Sequence, residues 1–118
     1  MLESTRDMIL LVTLDKASMS TGGHYADRFV SPTRFVWSAQ TSITRDSRRG
    51  RIISGTETDW IVHLFVRKSK LRDGRAAPFR YVGPVRFIRW VEETPLTAEW
   101  ELSEQVPKHL RELYQVVD

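Results

Sequence analysis

Apolar residues along the chain fall in short runs or at every second position, and both patterns predict strands. Met8-Ile9-Leu10-Leu11-Val12-Thr13-Leu14 is a continuous apolar run rich in strand formers, expected as a buried strand. From Trp60 to Arg67, Trp60, Val62, Leu64 and Val66 share one face, and Ile61, His63, Phe65 and Arg67 share the other. Both faces are largely apolar, as in a strand inside a barrel or beneath a helix. Phe79 to Val82, Val85 to Trp90 and Ala98 to Leu102 also alternate, with Ala98, Trp100 and Leu102 inward in the last. Gly83-Pro84 separates the first two of these as a bend or bulge. Arg34 to Trp37 and Arg51 to Ile53 are weaker strand signals. Helix is scarce. The tail from Pro107 to Val116 opens with proline near the first turn, where its missing N–H is harmless. Val106, Leu110, Leu113 and Val117 recur there at helical spacing and would seal an open end of the sheet. About six strands with one C-terminal helix predict a mainly β domain, either a small, strongly bent sheet or a partly closed barrel.

A chain of 118 residues makes one domain, residues 1–118, with a modest core. The longest apolar run, Met8 to Val12, is far short of a membrane span, and the charged start (Glu3, Arg6, Asp7) does not suit a signal peptide. A cytoplasmic protein without membrane contact is expected. Without cysteine there is no disulfide framework, thiolate metal site or cysteine nucleophile.

The net charge of +3 conceals a segregation. Arg28 to Arg89 holds 14 basic and 4 acidic residues, a local +10, while the first 27 residues carry −2 and Trp90 to Asp118 carries −5. Arginine supplies most of the positive charge, and guanidinium suits bidentate phosphate contact and stacking on bases. A coding bias would enrich arginine equally. Two loops concentrate the charge, Thr44 to Arg51 and Arg67 to Arg75. Loops held on a rigid sheet commonly carry binding function, although charged hairpin tips also serve solubility.

Catalytic signals are thin. His24, His63 and His109 lack metal-ligand spacing, Glu92-Glu93 lies beside Pro95 in an expected turn, and Ser38, Ser47 and Ser54 have no visible base. No catalytic residue, metal or cofactor is expected. The aromatics are more suggestive: Tyr25, Phe29, Phe35 and Trp37 fall within 13 residues, interleaved with Asp27 and Arg34 and followed by Gln40. Rings beside an Asp or Gln can hold an extruded base, the rings stacking while the polar group reads its Watson–Crick edge. Aromatics at this density also build cores.

Six blocks carry a family resemblance. They are Leu11-Val12-Thr13-Leu14-Asp15-Lys16, Tyr25-x-Asp27, Ser31-x-Thr33-x-Phe35-x-Trp37-Ser38-x-Gln40, Leu64-Phe65-Val66-Arg67, Ala77-Pro78-Phe79-x-Tyr81-x-Gly83-Pro84-Val85, and Pro95-Leu96 leading to Trp100-x-Leu102. In order and spacing the chain, from about Leu10 to Leu113, resembles the domain of unknown function 3427 found at the C-terminus of bacterial superfamily 2 helicases, many with a phospholipase-D-type nuclease. The resemblance implies an SRA-like fold of the PUA superfamily. It also implies the role of target-recognition module in type IV restriction, binding DNA with modified cytosine and flipping the base out. The family often reads Phe-His-Trp-Gln-Ser-Gln where this chain has Phe35-Val36-Trp37-Ser38-Ala39-Gln40. Helicase and nuclease motifs are missing from the sequence, so an excised domain or a free-standing relative is expected.

The combined expectation is a non-catalytic module, without cofactor, that reads 5-methyl- or 5-hydroxymethylcytosine in double-stranded DNA for a modification-dependent restriction system. Helicase and nuclease domains, in the same chain or a partner, are expected associates. Tyr25, Phe35 and Trp37 are the expected base pocket, with Asp27 and Gln40 as edge readers. Arg45, Arg48, Arg49, Arg67, Lys68 and Lys70 are the expected phosphate contacts, and Asp15 and Lys16 are expected to shape the turn after the first strand. A PUA-type RNA-binding module is the alternative, since RNA loops also offer splayed bases. A third reading is a protein-interaction domain whose acidic C-terminal third docks on a basic partner.

Overall fold

The computed structural model describes residues 1–14, 27–39, 42–93 and 95–116. In strand β1, Asp7–Thr13, Met8, Leu10 and Val12 turn inward while Ile9 and Leu11 stay exposed. Its neighbour β4, Ile61–Arg67, runs parallel, with Met8 opposite Val62, Leu10 opposite Leu64 and Val12 opposite Val66. A parallel pair needs a long crossover. Here the crossover carries β2 (Arg28–Ser31), β3 (Arg34–Ser38) and α1 (Arg48–Ser54). β7, Arg80–Glu93, pairs antiparallel with β4 and with β8, Leu96–Leu102, and β8 leads on to β3 and β2. One mixed sheet results, in the order β1-β4-β7-β8-β3-β2. The mainly β expectation holds, and in its open-sheet form: β1 and β2 are edges, and no barrel closes.

One face of the sheet carries the core. Inward residues of β1, β4 and β8 join Phe29 and Phe35 there, covered by Ile52 and Ile53 of α1 and by Val106, Leu110 and Tyr114 of the C-terminal segment. Ala98, Trp100 and Leu102 are buried as the alternation predicts. The tail helix is shorter than its sequence spacing suggests. Only α2, Lys108–Arg111, is helical, and Tyr114 rather than Leu113 reaches the core, since Leu113 is 43% exposed. Among the described residues no helix is long and apolar enough to cross a membrane.

Two local readings are corrected. Phe79 to Trp90 does not form two strands, because β7 runs through Gly83-Pro84. The ladder to β4 slips one residue between Leu64 and Phe65, and Gly83 sits at φ 125, where a side chain would be strained. Arg51 to Ile53 is helix, not strand. The Ser47 Oγ caps α1 by accepting from the Gly50 N–H at 3.1 Å, and Gly55 closes it in the left-handed region at φ 81. Both isoleucines can then be buried side by side, which a strand would forbid.

Gly50 serves packing rather than flexibility. A Cβ there would overlap the Thr44 carbonyl oxygen and lie 2.6 Å from that of Arg45. Alanine favours a helix interior by about 1 kcal/mol, yet Gly50→Ala is expected to lower stability because backbone must move. A urea midpoint at or above wild type would refute this.

Candidate nucleic-acid interface

The basic middle of the chain does not form one positive surface, because the acidic third folds back onto it. On β8, Glu99 pairs with Arg34 of β3 at 3.0 Å and with Arg89 of β7 at 3.0 Å, and Glu101 pairs with Arg34 and Arg86. The Arg86 hydrogen bond, then the charge of Arg86, holds the Glu101 carboxyl below its usual range. Two of the expected phosphate contacts are likewise engaged within the fold. Arg45 pairs with Glu93 at 3.0 Å over the Trp90 ring, and Arg48 is gripped by Glu3 and Glu57 over Trp60. The Arg48 hydrogen bond depresses the Glu3 pKa, and Glu3 in turn raises that of Arg48. Arg49 is exposed on α1, and Lys70 is exposed at the foot of the hairpin described next.

Among the described residues, cations without an acidic partner gather at the far end of β4. Strand β5 (Leu71–Arg72) and β6 (Arg75–Ala76) form a hairpin turned by Asp73-Gly74, both at positive φ (53 and 77), as a type I′ turn requires. This hairpin, the start of β7 and the C-terminal segment enclose a cleft of about 410 Å³, within the range of small-molecule sites. Arg67, Lys68, Arg72 and Arg80 line it together with Phe79 and Tyr114, and among the described residues no acidic one does. Among the described residues none of these four cations is ion-paired.

Arg67 organises the cleft. Its Nε donates to Thr13 Oγ1 at 2.8 Å, one Nη donates to the Ala77 carbonyl at 3.2 Å, and the guanidinium lies 4.3 Å from the Phe79 ring centroid. It therefore fixes the ring while keeping its charge. Tyr114, 5% exposed, stacks behind on Phe29 at 6.1 Å. On the hairpin, Arg72 stands directly opposite Arg75. Like charges in that position destabilise a ladder, and an anion bound between the hairpin and the sheet would relieve them.

Of the cleft residues, Arg67 and Lys68 are among the phosphate contacts expected from the sequence, whereas Arg72, Arg80, Phe79 and Tyr114 are not. Arg72 had a signal in the Asp73-Gly74 turn, and Phe79 had one in the Ala77-Pro78-Phe79 block. Tyr114 had none.

Three of the five residues expected for the base pocket, Asp27, Phe35 and Trp37, lie among the described residues. Phe35 is corrected to core: it is 0% exposed, edge-on to Phe29 at 4.8 Å and opposite Trp100, with no face left for a base. Trp37 is half-buried, packed on the same core and opposite Ala98. Asp27 is half-buried, and its Oδ1 accepts the Ser38 N–H at 2.8 Å, tying the start of β2 to the end of β3. Tyr25 and Gln40, like Asp15, Lys16 and His24, lie outside the described residues.

His63 is tied into a polar chain rather than buried alone. Its Nε2 meets Asp7 Oδ1 at 2.8 Å and its Nδ1 meets Tyr81 Oη at 2.8 Å. The His63 contact, aided by Thr5, lowers the Asp7 pKa. Among the described residues no group of His, Asp or Glu is placed to hold a metal.

Comparison with curated proteins finds no match. The family comparison does: over residues 1–115 the chain matches the model of the domain of unknown function DUF3427, and it belongs to that family.

Proposed function

We propose that the chain is a non-catalytic DNA-recognition module that reads a modified cytosine turned out of the duplex. The observation that carries this reading is the cleft at the end of β4, which is lined by four cations together with Phe79 and Tyr114 and, among the described residues, by no acid. Phosphates attract such a cluster at any sequence, and the half-buried Phe79 ring offers apolar contact to a base. The choice of modified cytosine rests on the resemblance of the six sequence blocks to target-recognition domains. The base seat moves, relative to the sequence reading, from Phe35 and Trp37 to the cleft.

Energetics favour a shaped pocket over simple burial of a methyl group. One buried methyl is worth about 0.8 kcal/mol, roughly fourfold in affinity. Extrusion costs a few kcal/mol and stacking returns about 1–3 kcal/mol per aromatic contact. Rings that close well only around the modified base multiply the small methyl contribution.

Matched duplexes with cytosine, 5-methylcytosine or 5-hydroxymethylcytosine, and RNA of the same sequence, test the reading at two salt concentrations. Tightest binding to one modified duplex, weakened by salt, is the expected result, with a rise in 2-aminopurine fluorescence beside the target. Preference for the RNA would transfer the cleft to RNA recognition. Binding to none of them would end the nucleic-acid reading.

A further inference from the structure

The face of the sheet opposite the core divides into two unlike halves. On β7, β8 and β3 it carries the Arg34, Arg86, Arg89, Glu99 and Glu101 ladder, which suits water. On β1, β4 and the start of β7 it is apolar and aromatic. Ile9 is 41% exposed, Leu11 60% and Tyr81 50%, and Phe65 lies between Leu11 and Tyr81 in register. Among the described residues no other element packs on this half. Contiguous apolar surface on a small domain marks an interaction site.

The patch is ordered like a binding surface. The Tyr81 ring lies 4.8 Å from Phe65 and 5.7 Å from His63. Its hydroxyl is held by His63 Nδ1, and His63 is held by Asp7 on the other side. The chain of hydrogen bonds fixes the ring without covering it. Two residues beyond Phe65 on β4, about 7 Å away, stands Arg67, and two residues before Tyr81, just ahead of β7, stands Phe79, both of the cleft. An aromatic strip thus runs from the unpaired cations onto the open sheet.

We propose that this half-face binds unpaired nucleotides, with Tyr81 and Phe65 as stacking platforms and the cleft cations holding the adjoining phosphates. Charge chooses the occupant: among the described residues the charged side chains that line the cleft end of the strip are all cationic, while Asp7 at the other end is engaged by His63. An intact duplex does not qualify, because its bases are already stacked on one another. Exposed rings on a sheet beside cations are a general means of holding splayed bases. The inference rests on the nucleic-acid reading of the cleft and names what lies next to the extruded base: a locally single-stranded segment.

Fluorescence anisotropy with a short single-stranded DNA and with the blunt duplex of the same sequence separates the two readings. Tyr81→Ala should weaken single-strand binding about tenfold, leave duplex binding within about twofold, and be rescued by Tyr81→Phe, which keeps the ring. Leu11→Glu, at an exposed position, should weaken the single strand as well and guards against a misfolded Tyr81→Ala. Equal single-strand affinity in wild type, Tyr81→Ala and Leu11→Glu overturns the platform. So does a wild-type dimer that Leu11→Glu dissociates without changing single-strand binding, which would assign the patch to a second copy. Duplex binding without single-strand binding sinks the platform alone, whereas loss of both sinks the cleft reading too.

Discussion

Phe35→Ala is expected to cost about 3–5 kcal/mol of folding stability, a large share of the roughly 5–15 kcal/mol that holds an ordinary domain together. The ring is 0% exposed, meets Phe29 edge-on at 4.8 Å and lies across the ladder from Trp100, which is itself 1% exposed. Truncation leaves a void between two sheet neighbours that cannot collapse without pulling β3 from β8. Thermal unfolding without DNA should show a midpoint lowered by roughly 10–20 °C. A base-pocket residue would behave otherwise, leaving the midpoint alone and changing only the preference among DNA ligands. That second outcome would return Phe35 to the pocket.

The same position shows how far the sequence could be read. Once Arg34 to Trp37 is taken as a strand, Phe35 and Trp37 share a face by the period of two. The structure packs that face on the core. Spacing among aromatics does not distinguish a ring that fills the core from one that lines a site, because both need apolar neighbours. The strands were legible where alternation was clean, as at Val62, Leu64 and Val66 or at Ala98, Trp100 and Leu102. α1 was not, because Ile52 and Ile53 are β-branched and adjacent, while the evidence for a helix lay in the flanking caps Ser47 and Gly55. Segment charge was legible, but its pairing was not. Glu99 and Glu101 lie far along the chain from Arg34, and only the β3–β8 register brings Glu101 opposite it and Glu99 diagonal to it. The cleft was legible only in part, since most of its lining comes from the one stretch Arg67 to Arg80 while Tyr114 is brought to it by the tertiary fold.

Removing Arg72 and Arg80 together should flatten the salt dependence of DNA binding, whereas removing Arg48 should not. Each phosphate neutralised contributes a slope of about −0.9 in log K against log salt. Four cleft cations, without an acidic partner among the described residues, give a wild-type slope of about −3 to −4, and raising salt from about 50 to 200 mM then weakens binding roughly 100-fold. With Arg72→Ala and Arg80→Ala two contacts remain, the slope falls to about −2, and the same step in salt costs only about tenfold. The loss should fall alike on modified and unmodified duplexes, because phosphates carry no sequence information. Arg48→Ala is the control: its guanidinium is held by Glu3 and Glu57 over Trp60, so a phosphate would have to displace two carboxylates to reach it. A slope unchanged in the cleft variant but flattened in Arg48→Ala would move the DNA contact to α1 and leave the cleft without its anion.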